Sequence, residues 1–420
     1  MKLNLVGLTA LLVSNLVGSG ALFLPKELAE FGGYAFIGWI LSAIGAFSLG
    51  YLFVSLQQRI PEAKGLHDFI GEAFSLSYES MRRIKIWILW SWVLGASIGN
   101  ATFAVALFRI CTTNSLILLV LYTLLIYMIY KLNCFNLHTT QKLEVLLTVF
   151  KLILLIVLPA ICTIFAIQSR QNIEYSNLSV SSGVIKSMYL TLWGFVGIET
   201  ALLPPDCVEN STQNIPKALI FGITICFVVY ILGLWAMMKL IPIEKLKNST
   251  SPYTDLLVSI VPIEYSGIAT AIGYFLISIL YVASLNSWTM TTGIFMSEQK
   301  NLFPKFFNAR NENNSPYLAL AISCSITFIT LCISLFAENS YQFIVNMATN
   351  IALWIYLVSI FAWIILVREI ISFKFIIFLI ALSYVMLCLF SVEVRELILS
   401  LLLFCSGEII VQWKKRELRE

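Results

Sequence analysis

Two stretches decide the fold of this chain: Asn15-Leu16-Val17-Gly18-Ser19-Gly20-Ala21 and Leu192-Trp193-Gly194-Phe195-Val196-Gly197-Ile198-Glu199. Each lies inside an apolar run of roughly 20 residues, the length that crosses a bilayer as a helix. Each is interrupted by a pair of glycines. Glycine pairs in apolar spans serve either close helix packing or a stretch of unwound backbone. Packing is the plainer reading for one isolated pair. Two breaks, five spans apart and at matching places in two halves, fit discontinuous helices facing each other across a site.

The composition agrees with a membrane setting. Of 420 residues, 59% are hydrophobic and 12% charged, against about 25% charged in an ordinary soluble domain. A soluble fold of this length could not hide so much apolar surface. Twelve candidate spans run near 5–25, 34–57, 85–109, 115–131, 142–167, 184–204, 217–240, 266–295, 317–336, 342–367, 374–391 and 395–413. The apolar run after Met1-Lys2-Leu3-Asn4 continues through Gly20 to Pro25 with no small-residue cleavage site, so it reads as the first span and not as a signal peptide. The segment from Pro61 to Ser80 reads equally as a short interfacial helix or a loop.

Lys and Arg are distributed unevenly over the loops. With the N-terminus inside, 18 of the 27 basic residues fall on the inner side and 8 on the outer; Lys151 lies within a span. The bias puts both termini in the cytoplasm. No basic patch with interleaved aromatics is present, which argues against nucleic acid. Nine cysteines, mostly in apolar runs, form no CxxC pair, and the two histidines, His67 and His138, fall in predicted loops. No metal site or cofactor is expected. The longest loops, 58–84 and 296–316, are too short for a catalytic domain, so an enzyme is not expected either.

Unwinding near the bilayer midplane frees backbone N–H and C=O groups, each costing several kcal/mol in hydrocarbon. A polar ligand satisfies them. Half-helix N-termini suit a carboxylate and freed carbonyls suit an ammonium. An α-amino acid offers both.

The motifs resemble those of a known group. Gly18-Ser19-Gly20-Ala21-Leu22-Phe23-Leu24-Pro25 with Gly32-Gly33, and Thr191 to Thr200, are similar to the first- and sixth-helix signatures of the amino acid–polyamine–organocation (APC) transporters. Asn214-Ile215-Pro216-Lys217-Ala218 and Asn301-Leu302-Phe303-Pro304-Lys305-Phe306-Phe307 resemble two of their loops. The resemblance runs over essentially the whole chain and is nearest to the arginine/agmatine and basic amino acid/polyamine antiporter branch. It implies that Ser19 and Gly20 hold the substrate carboxylate, and that carbonyls near Leu16, Trp193 and Val196 receive the α-amino group. Trp193 would be a gate, and Trp288 and Asn100 would meet the cationic end. Glu199 and Tyr356 would be polar gate residues. Trp92 stands where the family carries a tyrosine, which puts an outer gate there in doubt, and Phe103 replaces a methionine of the pocket. A tryptophan face attracts a cation by about 2 kcal/mol when desolvated, which agrees with these roles.

Ionisable residues within spans are functional candidates by default. Glu199 follows the second break; Glu408, in the last span, reads as a packing or snorkelling residue. Lys151 departs from the antiporter pattern. Some proton-coupled relatives carry a lysine at the matching place, where sodium-coupled ones bind the ion, so the resemblance implies a coupling role; the competing reading is a lysine snorkelling to the interface.

The chain is therefore expected to be an all-α integral membrane protein of about 12 transmembrane helices over residues 1–420. It would contain a five-plus-five inverted repeat (about 5–167 and 184–367), discontinuous helices one and six, and two extra C-terminal helices (about 374–413). The expected activity is secondary active transport or exchange of cationic amino acids and/or polyamines by alternating access in a bacterial inner membrane. A proton-coupled neutral amino acid permease and a non-transporting sensor stay open. Expected partners are the substrate, the lipid bilayer and, as open options, protons and a second copy in a homodimer.

Overall fold

The computed structural model describes residues 3–135, 137–169, 171–202, 208–299, 301–337, 339–368 and 372–418; the side chains of residues 19, 137–145, 148 and 152 lie outside that description. Helices account for the architecture, and the described residues pair as β only in two isolated bridges, Leu3 with Val208 and Gly32 with Tyr175. In chain order the helices are α1 (Leu5–Leu16), α2 (Ser19–Leu28), α3 (Tyr34–Arg59), α4 (Leu66–Phe74), α5 (Tyr78–Phe108), α6 (Ser115–Phe135), α7 (Leu137–Gln168), α8 (Val180–Leu192) and α9 (Ser211–Leu240). There follow α10 (Ile243–Lys247), α11 (Pro252–Ser259), α12 (Ser266–Glu298), α13 (Tyr317–Ser334), α14 (Ser340–Val367), α15 (Phe373–Phe390), α16 (Val394–Cys405) and α17 (Gly407–Glu417).

Among the described residues nine helices are long and apolar enough to cross a membrane, and α1 with α2, bent by 42°, make a tenth if counted as one span. The other two expected segments are also helical but interrupted. The sixth is α8, only 13 residues, followed by 3-10 turns at Trp193–Phe195 and Ile198–Ala201. The twelfth divides at Ser406 into α16 and α17. At that joint Gly407 presses against α5, where a Cβ would stand 2.8 Å from the Cα of Trp87.

Both glycine breaks are real interruptions. α1 ends at Leu16, Val17 takes ψ +88° and Gly18 (φ −130°, ψ −135°) precedes the first residue of α2. In the second break Gly197 has φ +109°, a left-handed conformation that L side chains rarely adopt. The interrupted elements sit in the middle of the bundle. α3 packs on α8 and α9, α1 packs on α9, and α5 packs on α12, α13 and α14. α6 and α7 lie outside, presenting Leu116, Val120, Leu124, Ile153, Ile156 and Ile164 outward, as lipid-facing helices do.

The undecided segment from Pro61 to Ser80 contains a helix, α4, packed on α5 and α14. Leu66, Phe69 and Ile70 are buried, and Lys85 Nζ reaches Asp68 Oδ1 at 2.7 Å. His67 is thus a buried helical residue and not a loop residue, because this amphipathic turn has a protein surface to cover. His138 lies in α7, its side chain outside the described set.

Candidate substrate site at the two helix breaks

The breaks meet. A Cβ on Gly20 would stand 3.3 Å from the Cα of Gly194 and 3.4 Å from Trp193 Cδ1, so the backbones touch where both are unwound. Asn15 Nδ2 donates to Thr200 Oγ1 (3.1 Å), and that hydroxyl donates to Gly197 O (2.7 Å). A helix end leaves its last carbonyls without intrahelical partners, and here three such groups are met by side chains. The hydroxyl of Tyr230, on α9, reaches Leu16 O (2.9 Å) and Gly194 O (3.0 Å), one carbonyl from each break. Its ring stacks on Trp39 at 4.4 Å. Lys151 Nζ, 2% exposed, donates to Ser14 O at 2.9 Å and approaches Ser284 Oγ at 3.5 Å. An ammonium is well placed there, since the C-terminal end of α1 carries partial negative charge.

In front of this junction lies a central cavity. Leu16, Gly20, Asn100, Trp193, Val196, Trp288, Glu199, Tyr356 and Trp92 all line it, with Phe103 and one face of α14, Ala348 to Ile355. Of the residues expected at the site, Lys151 stands behind the break and not on the wall, and the side chain of Ser19 lies outside the description. The indole of Trp193 spans the cavity from Gly20 to Gly99; a Cβ on Gly99 would be 2.7 Å from its Cη2. Trp288 faces Gly197 and lies 6.4 Å from Trp92, centroid to centroid.

Asn100 is oriented by its neighbours. Thr289 spends its proton on Leu285 O (2.8 Å), so both Leu285 O and Thr289 Oγ1 can only accept. The amide therefore turns Nδ2 towards them, at 3.1 and 2.8 Å. Its Oδ1 is buried with no hydrogen-bond partner. Asn100 thus has only an acceptor left to offer the cavity, and an unmet buried acceptor costs about 1–3 kcal/mol until a donor arrives.

Glu199 is the acidic residue of the described wall. Its two oxygens accept from Trp92 Nε1 (3.0 Å) and the Tyr356 hydroxyl (2.7 Å), and Tyr356 in turn accepts from Gly197 N at 3.3 Å. Trp92 sits 14 residues into α5, which rises from the face that carries the termini, and Glu199 lies past the second break on that same side. The three form one hydrogen-bonded cluster on the cavity wall. Tyr230, Trp39 and Thr289 were not singled out from the sequence. A tyrosine, tryptophan or threonine in an apolar span carries no signal of its partner until the packing is known.

A helical membrane protein with two interrupted spans meeting beside a central cavity is, by architecture, a transporter of the discontinuous-helix type. The chain belongs to the amino acid permease family, whose model matches residues 3–393; it is a transporter and not an enzyme. It is 25% identical to the cadaverine/lysine antiporter of Escherichia coli (strain K12) over 351 residues, 80% of this chain and 75% of that protein. To the putrescine transporter PotE of the same strain it is 26% identical over 369 residues, 83% of this chain and 81% of the other. To the arginine/agmatine antiporter of Chlamydia pneumoniae it is 25% identical over 390 residues, 85% and 77%. A manganese transporter from Eremococcus coleocola, solved with an aromatic bis-isothiourea substituted compound, superposes with a TM-score of 0.55 over 99% of this chain and 94% of that one. At 14% identity that likeness bears on the fold alone.

Proposed function

We propose that this protein exchanges cationic amino acids and/or polyamines across a bacterial inner membrane by alternating access about the central cavity. The observation that carries the reading is the orientation of Asn100. Its unmet acceptor, on a residue that lines the same cavity as Trp193 and Trp288, suits a ligand end that only donates, which is what an ammonium or guanidinium does. The contact between Gly20 and Gly194 supports the carboxylate end at the first break, and the carbonyls near Leu16, Trp193 and Val196 support the α-amino group. Glu199, Tyr356 and Trp92 act as the gate towards the termini. The 18-to-8 basic bias supports a cytoplasmic position for both termini. The matched breaks support the five-plus-five repeat, with α15 and α16–α17 as the extra helices.

Counterflow into preloaded liposomes tests this. Arginine, lysine, ornithine and their decarboxylated amines should each drive exchange of a labelled cationic substrate. Competition by neutral amino acids alone would sink the cationic reading, and saturable binding without exchange would make the protein a sensor.

Lys151 supports a second reading, proton-coupled uptake. Its ammonium on Ser14 O ties the charge state of α7 to the end of α1, a helix that has to move. A proton shifts such an equilibrium only by its differential affinity for the two states. Uptake should then respond to pH and not to sodium, and Lys151→Ala should suppress pH-gradient-driven accumulation more than it suppresses counterflow. Equal rates and an unchanged pH profile in the variant would leave Lys151 a structural cap on α1.

A further inference from the structure

α8 is the half-helix that leads into Trp193, and two neighbours hold it. On one side stands α3, where Ser42 Oγ donates to Met188 O at 2.9 Å and the Ser187 hydroxyl of α8 reaches Tyr34 O at 3.0 Å. On the other side stands α14, whose residues from Ala348 to Tyr356 contribute to the cavity wall. There the tie is a pair of side chains: the Tyr189 hydroxyl donates to Asn350 Oδ1 at 2.8 Å. Tyr189 is 7% exposed and Asn350 is fully buried, and both lie behind the cavity and not on its wall. Tyr189 precedes Trp193 by about one helical turn.

As a source of stability this pair is inefficient. Asn350 Nδ2 is buried with no hydrogen-bond partner, and an unmet buried donor is a cost that an apolar side chain of similar size would not carry. What the amide does supply is a fixed acceptor for the α8 hydroxyl, one turn from the indole that spans the cavity between Gly20 and Gly99.

We propose that Tyr189 is a positioning residue for Trp193: its bond to Asn350 holds the end of α8 against α14, so that the indole stays across the cavity. The proposal rests on the reading of Trp193 as a gate over a substrate in that cavity. Tyr189 touches no substrate and acts through the turn that joins it to Trp193. Loss of the bond lets the gate leave its place, so substrate is held less tightly. The later steps, which need the gate to move, are not slowed.

Counterflow of labelled arginine into preloaded proteoliposomes, with KM and kcat determined separately, tests this. Tyr189→Phe should raise KM by about fivefold, the worth of one neutral hydrogen bond, and leave kcat within about twofold of wild type. Asn350→Leu should raise KM by a similar factor, and the double variant no further, because all three lose the same bond. With both polar partners gone, the double variant should also melt no lower than wild type while keeping the raised KM. A purely structural role gives the opposite pattern, lower melting and lower kcat at unchanged KM, and that pattern overturns the proposal. A KM in the double variant equal to the product of the two single effects overturns it as well. Should Tyr189→Phe fail to purify as a monodisperse protein, an unchanged KM in Asn350→Leu overturns it. Wild-type protein without saturable exchange would sink the exchange reading and the gate together. Unchanged KM in the variants of an exchanging protein sinks the positioning role alone.

Discussion

At the scale of single residues, the site depends on side chains that are missing as much as on those present. Gly20 and Gly99 leave the space in which Trp193 lies, and Gly194 lets the two breaks touch. We predict that Gly20→Val inserts and purifies as a monodisperse protein but loses transport by at least about tenfold, since forcing extra methyl groups into a packed contact costs about 1–3 kcal/mol. Uptake within twofold of wild type would remove α2 from the site. The two broken runs were legible from the sequence, where glycine pairs in an apolar context announce themselves; the roles of Leu16, Gly20, Trp193, Val196 and Glu199 within them are ones the family resemblance implies. Asn100, Trp288, Trp92 and Tyr356 came from the family resemblance. Residues that only support the site were not legible. Tyr230 matters through two carbonyls that lie far from it in sequence, 214 and 36 residues away, and no local pattern encodes that.

At the scale of elements, the discontinuous helices are held open by partners on neighbouring helices. Tyr230 from α9 covers a carbonyl of each break, and we predict that Tyr230→Phe lowers thermal stability by about 1–3 kcal/mol, the cost of leaving buried acceptors unmet. The measurement is thermal unfolding in detergent beside counterflow rate. An unchanged melting temperature would mean that solvent already reaches those carbonyls. α4 illustrates what periodicity leaves open. Leu66, Phe69 and Ile70 share one helical face, but an interfacial helix and a packed one show the same pattern. The tertiary seat against α5 and α14 decides between them. The break at Ser406 falls where Ser406-Gly407-Glu408 interrupts the last apolar run, and at that joint Gly407 closely approaches Trp87.

For the whole molecule, the hydropathy pattern located the bundle because bilayer thickness imposes it, while the seating of its loops follows from tertiary contacts alone. His67 is a case with a measurable consequence. Burial, with Lys85 and Lys64 nearby and only partly offset by Asp68, lowers its pKa to about 4, against about 6.5 when exposed. Detaching α4 exposes the imidazole. Above about pH 6.5 both states are neutral and the group has no effect. As pH falls from there towards 4 the detached state takes up a proton that the native state refuses, so native stability is lost, by up to about 3 kcal/mol. The melting temperature of the wild type should fall between pH 7 and pH 5, and His67→Gln should flatten that fall; identical profiles would mean that His67 is hydrated in the native state.

The final span is fastened to the two helices that wall the cavity. On α17 and at the joint before it, Glu408 accepts from Arg83 Nε and Trp87 Nε1, both at 2.9 Å, and Ser406 accepts from Trp90 Nε1 at 3.0 Å. On α16, Ser400 accepts from Trp354 Nε1 at 3.1 Å, and Glu396 takes the Asn346 amide on both oxygens at 3.1 Å. These bonds clamp α5 and α14 from behind along much of their length. In mechanical terms, α16 and α17 act as a brace. The wall that carries Asn100, Trp92 and Tyr356 is stiffened, and the compliance needed for motion is concentrated in the interrupted elements, α1 with α2 and the end of α8.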